Sequence, residues 1–175
     1  MTDAGNASVH ASAVLAGDRA VLIRGPSGAG KSRLAFDLIL AARAGQIAPC
    51  LLVGDDRVYL EARDGQLMVR TVRALAGLIE IRGLGIRRCD FAEQAVVGLV
   101  VDLRAADAER LPPPEALEVN LYGIKIPRIP VGDGYAALPL VIAALTMTAS
   151  SSSAHASGDC PKGIGNHISP TLATE

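Results

Sequence analysis

The sequence predicts an α/β domain in which a mostly buried sheet is flanked by helices, and three observations lead to this fold class. Half of the 175 residues are hydrophobic but only 3% are aromatic, so the core must consist mainly of Val, Ile, Leu and Ala. Short, wholly apolar runs alternate with a helical pattern, which favours a sheet buried on both faces and mostly parallel. A glycine-rich motif joins the first long apolar run to the first helix, as at the strand–helix turn of many α/β domains.

In the first half of the chain, two buried strands enclose a helix. The run "RAVLIRG" predicts a buried strand, and "KSRLAFDLILAARAG" predicts a helix that ends at Gly45. The run "PCLLVGDD" predicts a second buried strand that ends in two acids. The segments "VYLEA" and "QLMVR" alternate on either side of Asp64 and Gly65, which predicts a β-hairpin.

The second half is predicted to hold a loop, a strand, an edge pair and a last helix. The stretch "GLIEIRGLGI" predicts a loop of special geometry because it contains Gly83 and Gly85. The run "QAVVGLVVDL" predicts a buried strand, "RAADAERLPPPEAL" an exposed connection and "EVNLYGIKIPRIPV" an extended edge pair. A core helix is predicted at about 138–147. We therefore predict a catalytic domain over 1–147 and a disordered tail over 148–175, where Ser, Gly and Pro dominate.

Composition excludes several classes of partner. The net charge is −1 with no basic run, so no nucleic acid is expected. The longest apolar run, over 136–147, is shorter than the roughly 20 residues that cross a bilayer, and no secretory signal precedes it. The three cysteines (Cys50, Cys89 and Cys160) form no CxxC pair. These features predict a cytoplasmic protein with free thiols and no membrane partner.

The glycine-rich motif matches G-x-x-x-x-G-K-[ST], the pattern of phosphate-binding loops, between a predicted strand and a predicted helix. Its glycines let successive backbone N–H groups face one anion, and the helix N-terminus adds its dipole. The Lys31 ammonium is expected to reach the β- and γ-phosphates, and the Ser32 hydroxyl to bind Mg²⁺. The motif predicts ATP or GTP as ligand. Its residues are Gly25, Pro26, Ser27, Gly28, Ala29, Gly30, Lys31 and Ser32.

Two predicted strand ends carry a carboxylate that could bind the metal ion or accept a proton from the group that receives the phosphate. Asp102 follows four apolar residues, which is the more conventional pattern for a metal-binding acid beside such a loop. Asp55 and Asp56 together provide a metal ligand and a second acid that could accept a proton, although a solvated turn would have the same sequence. The residues alone leave both choices open.

Glu80 and Arg82 form a third cluster. In a strand the two side chains share one face, so Glu80 could bind a metal ion and Arg82 could stabilise phosphoryl charge. A plain surface ion pair would explain the same spacing.

Three motifs in this order give the chain a family resemblance. "GPSGAGKS", "GDDRV" and "IEIRGLGI" resemble the HPr kinase/phosphorylase family, specifically its catalytic domain in a short form, over about 10–145. The resemblance implies a P-loop fold similar to phosphoenolpyruvate carboxykinase, usually in a hexamer. It implies ATP and Mg²⁺ as cofactors. It also implies that a serine of HPr, a phosphocarrier of the phosphotransferase system, or of a relative accepts the phosphate.

The resemblance also assigns roles to individual residues. It implies that His10 is an active-site histidine and that Asp56 accepts the serine proton, which favours the acid pair over Asp102. It implies that Ser32 and Glu80 bind Mg²⁺ and that Arg110, in "AERLP", is a catalytic arginine.

One departure from the family pattern bears on the reverse reaction. The long form carries a basic loop after "IPV" that is linked to dephosphorylation, whereas here no Lys or Arg lies between Val131 and Leu145. Phosphorolysis is therefore left open. Two other functions are kept as alternatives: a P-loop kinase of a small metabolite, and a regulatory module that senses ATP without transferring phosphate.

Overall fold

A computed structural model describes residues 7–148. This part of the chain contains ten strands, two α-helices and two short 3-10 helices. The strands are β1 (Ser12–Ala16), β2 (Arg19–Arg24), β3 (Cys50–Gly54), β4 (Val58–Arg63), β5 (Gln66–Thr71), β6 (Leu78–Ile81), β7 (Gly85–Arg88), β8 (Gln94–Leu103), β9 (Glu118–Leu121) and β10 (Ile124–Val131). The α-helices are α1 (Lys31–Arg43) and α2 (Ala137–Thr146), and the 3-10 helices are Arg73–Leu75 and Pro114–Leu117.

The main sheet has the order β3-β1-β2-β8-β10-β9, and the β4–β5 hairpin joins it through β8. Within this sheet only β2–β8 and β8–β10 are parallel, so the prediction of a mostly parallel sheet is wrong. Tight hairpins between β1 and β2, β4 and β5, and β9 and β10 require antiparallel pairing. The apolar composition reports burial of both faces and carries no information on strand direction.

Both faces of the sheet are buried, but by different layers. Along β2, Val21 and Ile23 face one cluster of buried residues and Ala20 and Leu22 face another, as strand alternation requires. The first cluster includes residues of α1 and α2, and the second includes residues of β4 and β5. The prediction of a buried sheet flanked by helices is confirmed, with both helices on one face.

The predicted strands and first helix are found at β2, β3, β8 and α1, and the hairpin turns at Asp64 and Gly65 as predicted. The prediction of a loop at "GLIEIRGLGI" is wrong, because β6 and β7 form a small separate antiparallel pair there. Gly83 and Gly85 have φ of 84° and 83°, and these left-handed conformations form the turn that joins β6 to β7. The strand β10 pairs with β8 as well as β9, so it is not an edge strand.

The helix α2 starts one residue before the predicted helix, and Val141 is its one buried residue. The partly buried side chains of Ala137, Leu138 and Ile142 also pack against the core, so α2 covers the core with one face. Within residues 7–148, no helix is long and apolar enough to span a membrane. The predicted tail falls almost wholly outside the described residues.

Candidate active site

The topology brings the ends of several strands to one edge of the sheet. The strands β2, β8 and β10 are parallel and end together, and β3 points the same way because both β2 and β3 pair antiparallel with β1. The start of β1 lies at this same edge. The glycine-rich motif, the acid pair and His10 therefore meet here although the sequence separates them.

The eight motif residues, here called the glycine loop (residues 25–32), form the tight turn after β2 and the first two residues of α1. Gly28 and Gly30 have φ of 74° and 97°, a region that favours glycine. A Cβ on Gly25 would lie 2.9 Å from the carbonyl oxygen of Leu103, so the loop begins in close contact with the end of β8. The amide of Leu34 donates to Gly30 O at 2.9 Å, and the helix amides before it have no intrahelical acceptor.

The Lys31 side chain is buried inside this loop. Lys31 is 6% exposed, and its Nζ donates to the carbonyl oxygens of Gly25 and Pro26, each at 3.0 Å. Burial lowers the pKa of the Lys31 ammonium, and the negative charges of Asp56 and Asp55 act in the opposite direction. The ammonium is thus held within the loop and has carboxylates nearby.

Asp55 is the buried member of the acid pair, with 4% of its surface exposed. Its Oδ1 accepts a hydrogen bond from Ser12 Oγ at 2.6 Å, and its Oδ2 accepts one from the Glu80 amide at 3.1 Å. Asp55 therefore joins the ends of β3, β1 and β6. Each oxygen has one protein partner and keeps a further lone pair, so the metal role expected of Asp55 stays a prediction.

Asp56 points in the other direction and is exposed. Its φ of 66° lies in the left-handed region, where Asp is tolerated better than most residues. Its Oδ1 lies 3.3 Å from His10 Nε2. Reciprocal backbone hydrogen bonds of 2.8 and 3.1 Å between Val9 and Val58 hold His10 beside it. The structure thus brings His10 and Asp56 together in an accessible pair.

Glu80 lies next to the acid pair because its amide binds Asp55, and its own side chain is exposed. Arg82 follows β6 in the turn, and Glu80 and Arg82 form no ion pair with each other in the described part of the chain. Within residues 7–148 no group of three or more His, Cys, Asp or Glu side chains could hold a metal ion by itself. A magnesium ion at this edge would need Ser32, Glu80, phosphate oxygens and water, a set that Mg²⁺ commonly uses.

Asp102, the other candidate acid, is occupied by two arginines. Arg24 binds it through two hydrogen bonds of 2.7 Å, and Arg128 Nε approaches its Oδ2 to 2.5 Å. Burial alone would raise the pKa of the Asp102 carboxyl, but the hydrogen bonds and charges of Arg24 and Arg128 lower it below its ordinary value. These contacts favour a structural role for Asp102.

Arg110 lies in the exposed connection after β8. Its side chain makes no hydrogen bond or ion pair with another residue of the described range. The same connection is fixed by Asp107, which binds Arg128 at 2.6 and 2.9 Å. The structure therefore fixes the segment that carries Arg110 but does not bring Arg110 into contact with the other site residues.

Comparison with known proteins decides the family. A family profile described as HPr Serine kinase C-terminal domain matches residues 3–159. The chain belongs to this family. The resemblance seen in the three sequence motifs is thereby confirmed.

Relatives agree with this assignment. The HPr kinase/phosphorylase of Mycoplasma genitalium is 34% identical over an alignment of 129 positions that covers 65% of this chain and 39% of that protein. The HPr kinase/phosphorylase of Streptococcus thermophilus is 34% identical over 134 residues, covering 70% of this chain and 41% of that protein. The chain thus spans less than half the length of these relatives.

A solved structure shows the same fold. The Hpr(Ser) kinase/phosphatase from Coxiella burnetii superposes with a TM-score of 0.62 at 28% sequence identity. The superposition covers 79% of this chain and 93% of that one. It supports the mixed α/β fold of this family member.

Sequence reasoning missed four residues of the site edge: Ser12, Arg24, Arg128 and Arg104, which follows β8 and donates to Gly28 O in the glycine loop at 3.4 Å. Ser12 follows His10 by two positions, but β1 begins only at Ser12, so strand alternation does not relate the two side chains. The arginines carry no local signal, because their partners come from segments that only the fold makes neighbours.

Proposed function

We propose that this chain is an ATP- and Mg²⁺-dependent kinase that phosphorylates a serine of an HPr-type phosphocarrier protein. One observation carries the proposal: an accessible Asp56–His10 pair lies at the same sheet edge as the glycine loop. A site that only binds nucleotide does not need an accessible carboxylate of this kind. A phosphoryl-transfer site needs one to accept the proton of the attacking hydroxyl.

The donor set of the glycine loop supports ATP as the phosphate source. Amides at the start of α1 lack intrahelical acceptors, and the Lys31 ammonium lies inside the loop. Such a cradle suits a phosphate chain. Ser32 and Glu80 would hold the magnesium ion, which neutralises phosphate charge when it is bound.

The residues around the position of the substrate serine have different proposed roles. Asp56 accepts the proton as the serine oxygen attacks, and His10 orients the carboxylate from 3.3 Å. Asp55 keeps Asp56 and Glu80 in place through its bonds to Ser12 and the Glu80 amide. In this assignment Asp55 positions its neighbours, and its further role as a metal ligand stays a prediction. Arg110 stays a candidate for stabilising phosphoryl charge.

The proposal is tested by incubating the protein with Mg²⁺ and γ-labelled ATP, with and without an HPr-type phosphocarrier from the same organism. We expect label on one carrier serine, identified by peptide mass spectrometry. Binding of ATP without label on the carrier would contradict the proposal, and candidate small metabolites would be tried next. Addition of unlabelled phosphate to the labelled carrier then shows whether the reverse reaction occurs.

A further inference from the structure

We propose that Arg104 is a nucleotide-contacting residue that exchanges its ion pair with Asp133 for the phosphate chain of bound ATP. The inference rests on the proposed function, since it assumes that the glycine loop binds ATP. It adds a residue outside the glycine loop and the acid pair.

Arg104 lies at the site edge in a constrained backbone conformation. It follows β8 directly, and its φ of 56° lies in the left-handed region that residues other than Gly, Asn and Asp seldom adopt. The preceding Leu103 is in close contact with the start of the glycine loop, because a Cβ on Gly25 would lie 3.0 Å from Leu103 Cβ. The end of β8 is therefore held against the loop and directs Arg104 along it.

The contacts of the Arg104 guanidinium are weak and exchangeable. One terminal nitrogen donates to Gly28 O at 3.4 Å, and Nε lies 3.3 Å from Asp133 Oδ1. The side chains of Arg104 and Asp133 are 49% and 84% exposed. An exposed ion pair of this kind contributes little, so a phosphate group that accepts two hydrogen bonds from the guanidinium would replace it at little cost.

Two other arginines at this edge are less available. Arg24 and Arg128 are bound to Asp102, and Arg128 also binds Asp107 and a backbone carbonyl. The segment that follows β10, from Gly132 to Thr148, contains no Lys or Arg. The one acidic residue of this segment is Asp133, which forms the ion pair with Arg104. Arg104 is thus the guanidinium with a contact to the glycine loop and without a buried carboxylate partner.

The inference predicts opposite effects for the two members of the ion pair. Arg104→Gln should weaken ATP binding about tenfold or more, because it removes a charge-assisted contact. Asp133→Asn should bind ATP at least as tightly as the unmodified protein, because it removes a competitor. Isothermal titration calorimetry with Mg-ATP measures both dissociation constants. Arg63→Gln is the matched control, since Arg63 pairs with an exposed acid at the far end of β4.

A second variant separates the loss of the guanidinium from a folding defect. Arg104→Gly removes the guanidinium but suits the positive φ, so it should fold at least as well and still lose ATP affinity. Equal weakening by Arg104→Gln and Asp133→Asn would show that the ion pair only supports the fold, and unchanged affinity in both Arg104 variants would also overturn the inference. Failure of the unmodified protein to bind ATP would instead contradict the proposed function.

Discussion

Asp55 and Asp56 are adjacent in sequence, yet the fold gives them separate roles. Asp55 is buried and accepts hydrogen bonds from two other strands, whereas Asp56 sits in a left-handed turn and is exposed beside His10. A buried carboxylate needs donors to compensate for its lost hydration. An exposed one remains available to a substrate. The different surroundings support the proposal that Asp55 positions the site and that Asp56 accepts the proton.

Ser12 provides a test of the role of Asp55. Ser12→Ala removes the 2.6 Å hydrogen bond to the buried carboxylate, so we expect the free energy of unfolding to fall by about 1–3 kcal/mol. Urea denaturation measures this change. Ser8→Ala is the control, because the Ser8 hydroxyl binds Arg57 at an exposed position and should change stability by less than about 0.5 kcal/mol. Equal effects of the two changes would contradict the role given to Asp55.

At the scale of elements, the Arg24–Asp102–Arg128 cluster ties the ends of β2, β8 and β10 together. Because Asp102 accepts hydrogen bonds from both arginines and its side chain is 15% exposed, its replacement leaves two guanidinium groups without their shared partner. Arg128 also holds Asp107, so the cluster links the sheet to the connection that carries Arg110. Through these contacts Asp102 holds β2, β8 and β10 together at the site edge.

We expect Asp102→Asn to lower the free energy of unfolding at neutral pH by about 2 kcal/mol, as measured by urea denaturation. The folded-state pKa of Asp102 is depressed. Its contribution is therefore fully present above the unfolded-state pKa and is lost as pH falls through the folded-state pKa. The difference between the two proteins should accordingly shrink in acid.

Asp107→Asn is the control for this charge cluster. Asp107 binds the same Arg128 but is exposed, so its loss should cost less than about 1 kcal/mol. If Asp102→Asn cost no more than Asp107→Asn, or if its cost did not depend on pH, the structural role of Asp102 would be refuted.

The elements also show what sequence patterns can and cannot predict. The boundaries of β8 and the turn at Asp64 follow from apolar runs and turn residues, which are local signals. Strand direction could not be predicted because apolar runs report burial alone, and the β6–β7 hairpin was not predicted because Gly83 and Gly85 indicate a loop. In the site, the glycine loop could be predicted from its motif, whereas the Ser12–Asp55 hydrogen bond joins residues 43 positions apart in the sequence. The resemblance pointed to His10, to which composition and spacing assigned no role.

At the scale of the whole molecule, the sequence predicts that the catalytic domain ends at about 147, because Ser, Gly and Pro dominate 148–175. We therefore predict that a chain ending at Thr148 unfolds at the same temperature as the full chain and binds ATP with the same affinity. Differential scanning calorimetry and titration with Mg-ATP measure the two properties. A lower unfolding temperature or weaker binding would contradict the predicted boundary. The hexamer implied by the family resemblance stays a prediction that light scattering of the full chain can test.

The central claim is that Asp56 accepts the proton of the substrate serine, and one comparison tests it most directly. Asp56→Asn and Asp64→Asn each remove an exposed carboxylate from a left-handed position, with φ of 66° and 51°, and asparagine tolerates that conformation. Phosphate transfer to the carrier and ATP affinity are measured for both. We predict that Asp56→Asn keeps ATP affinity and slows transfer about a hundredfold or more, while Asp64→Asn matches the unmodified protein. Transfer at the normal rate by Asp56→Asn would contradict the claim.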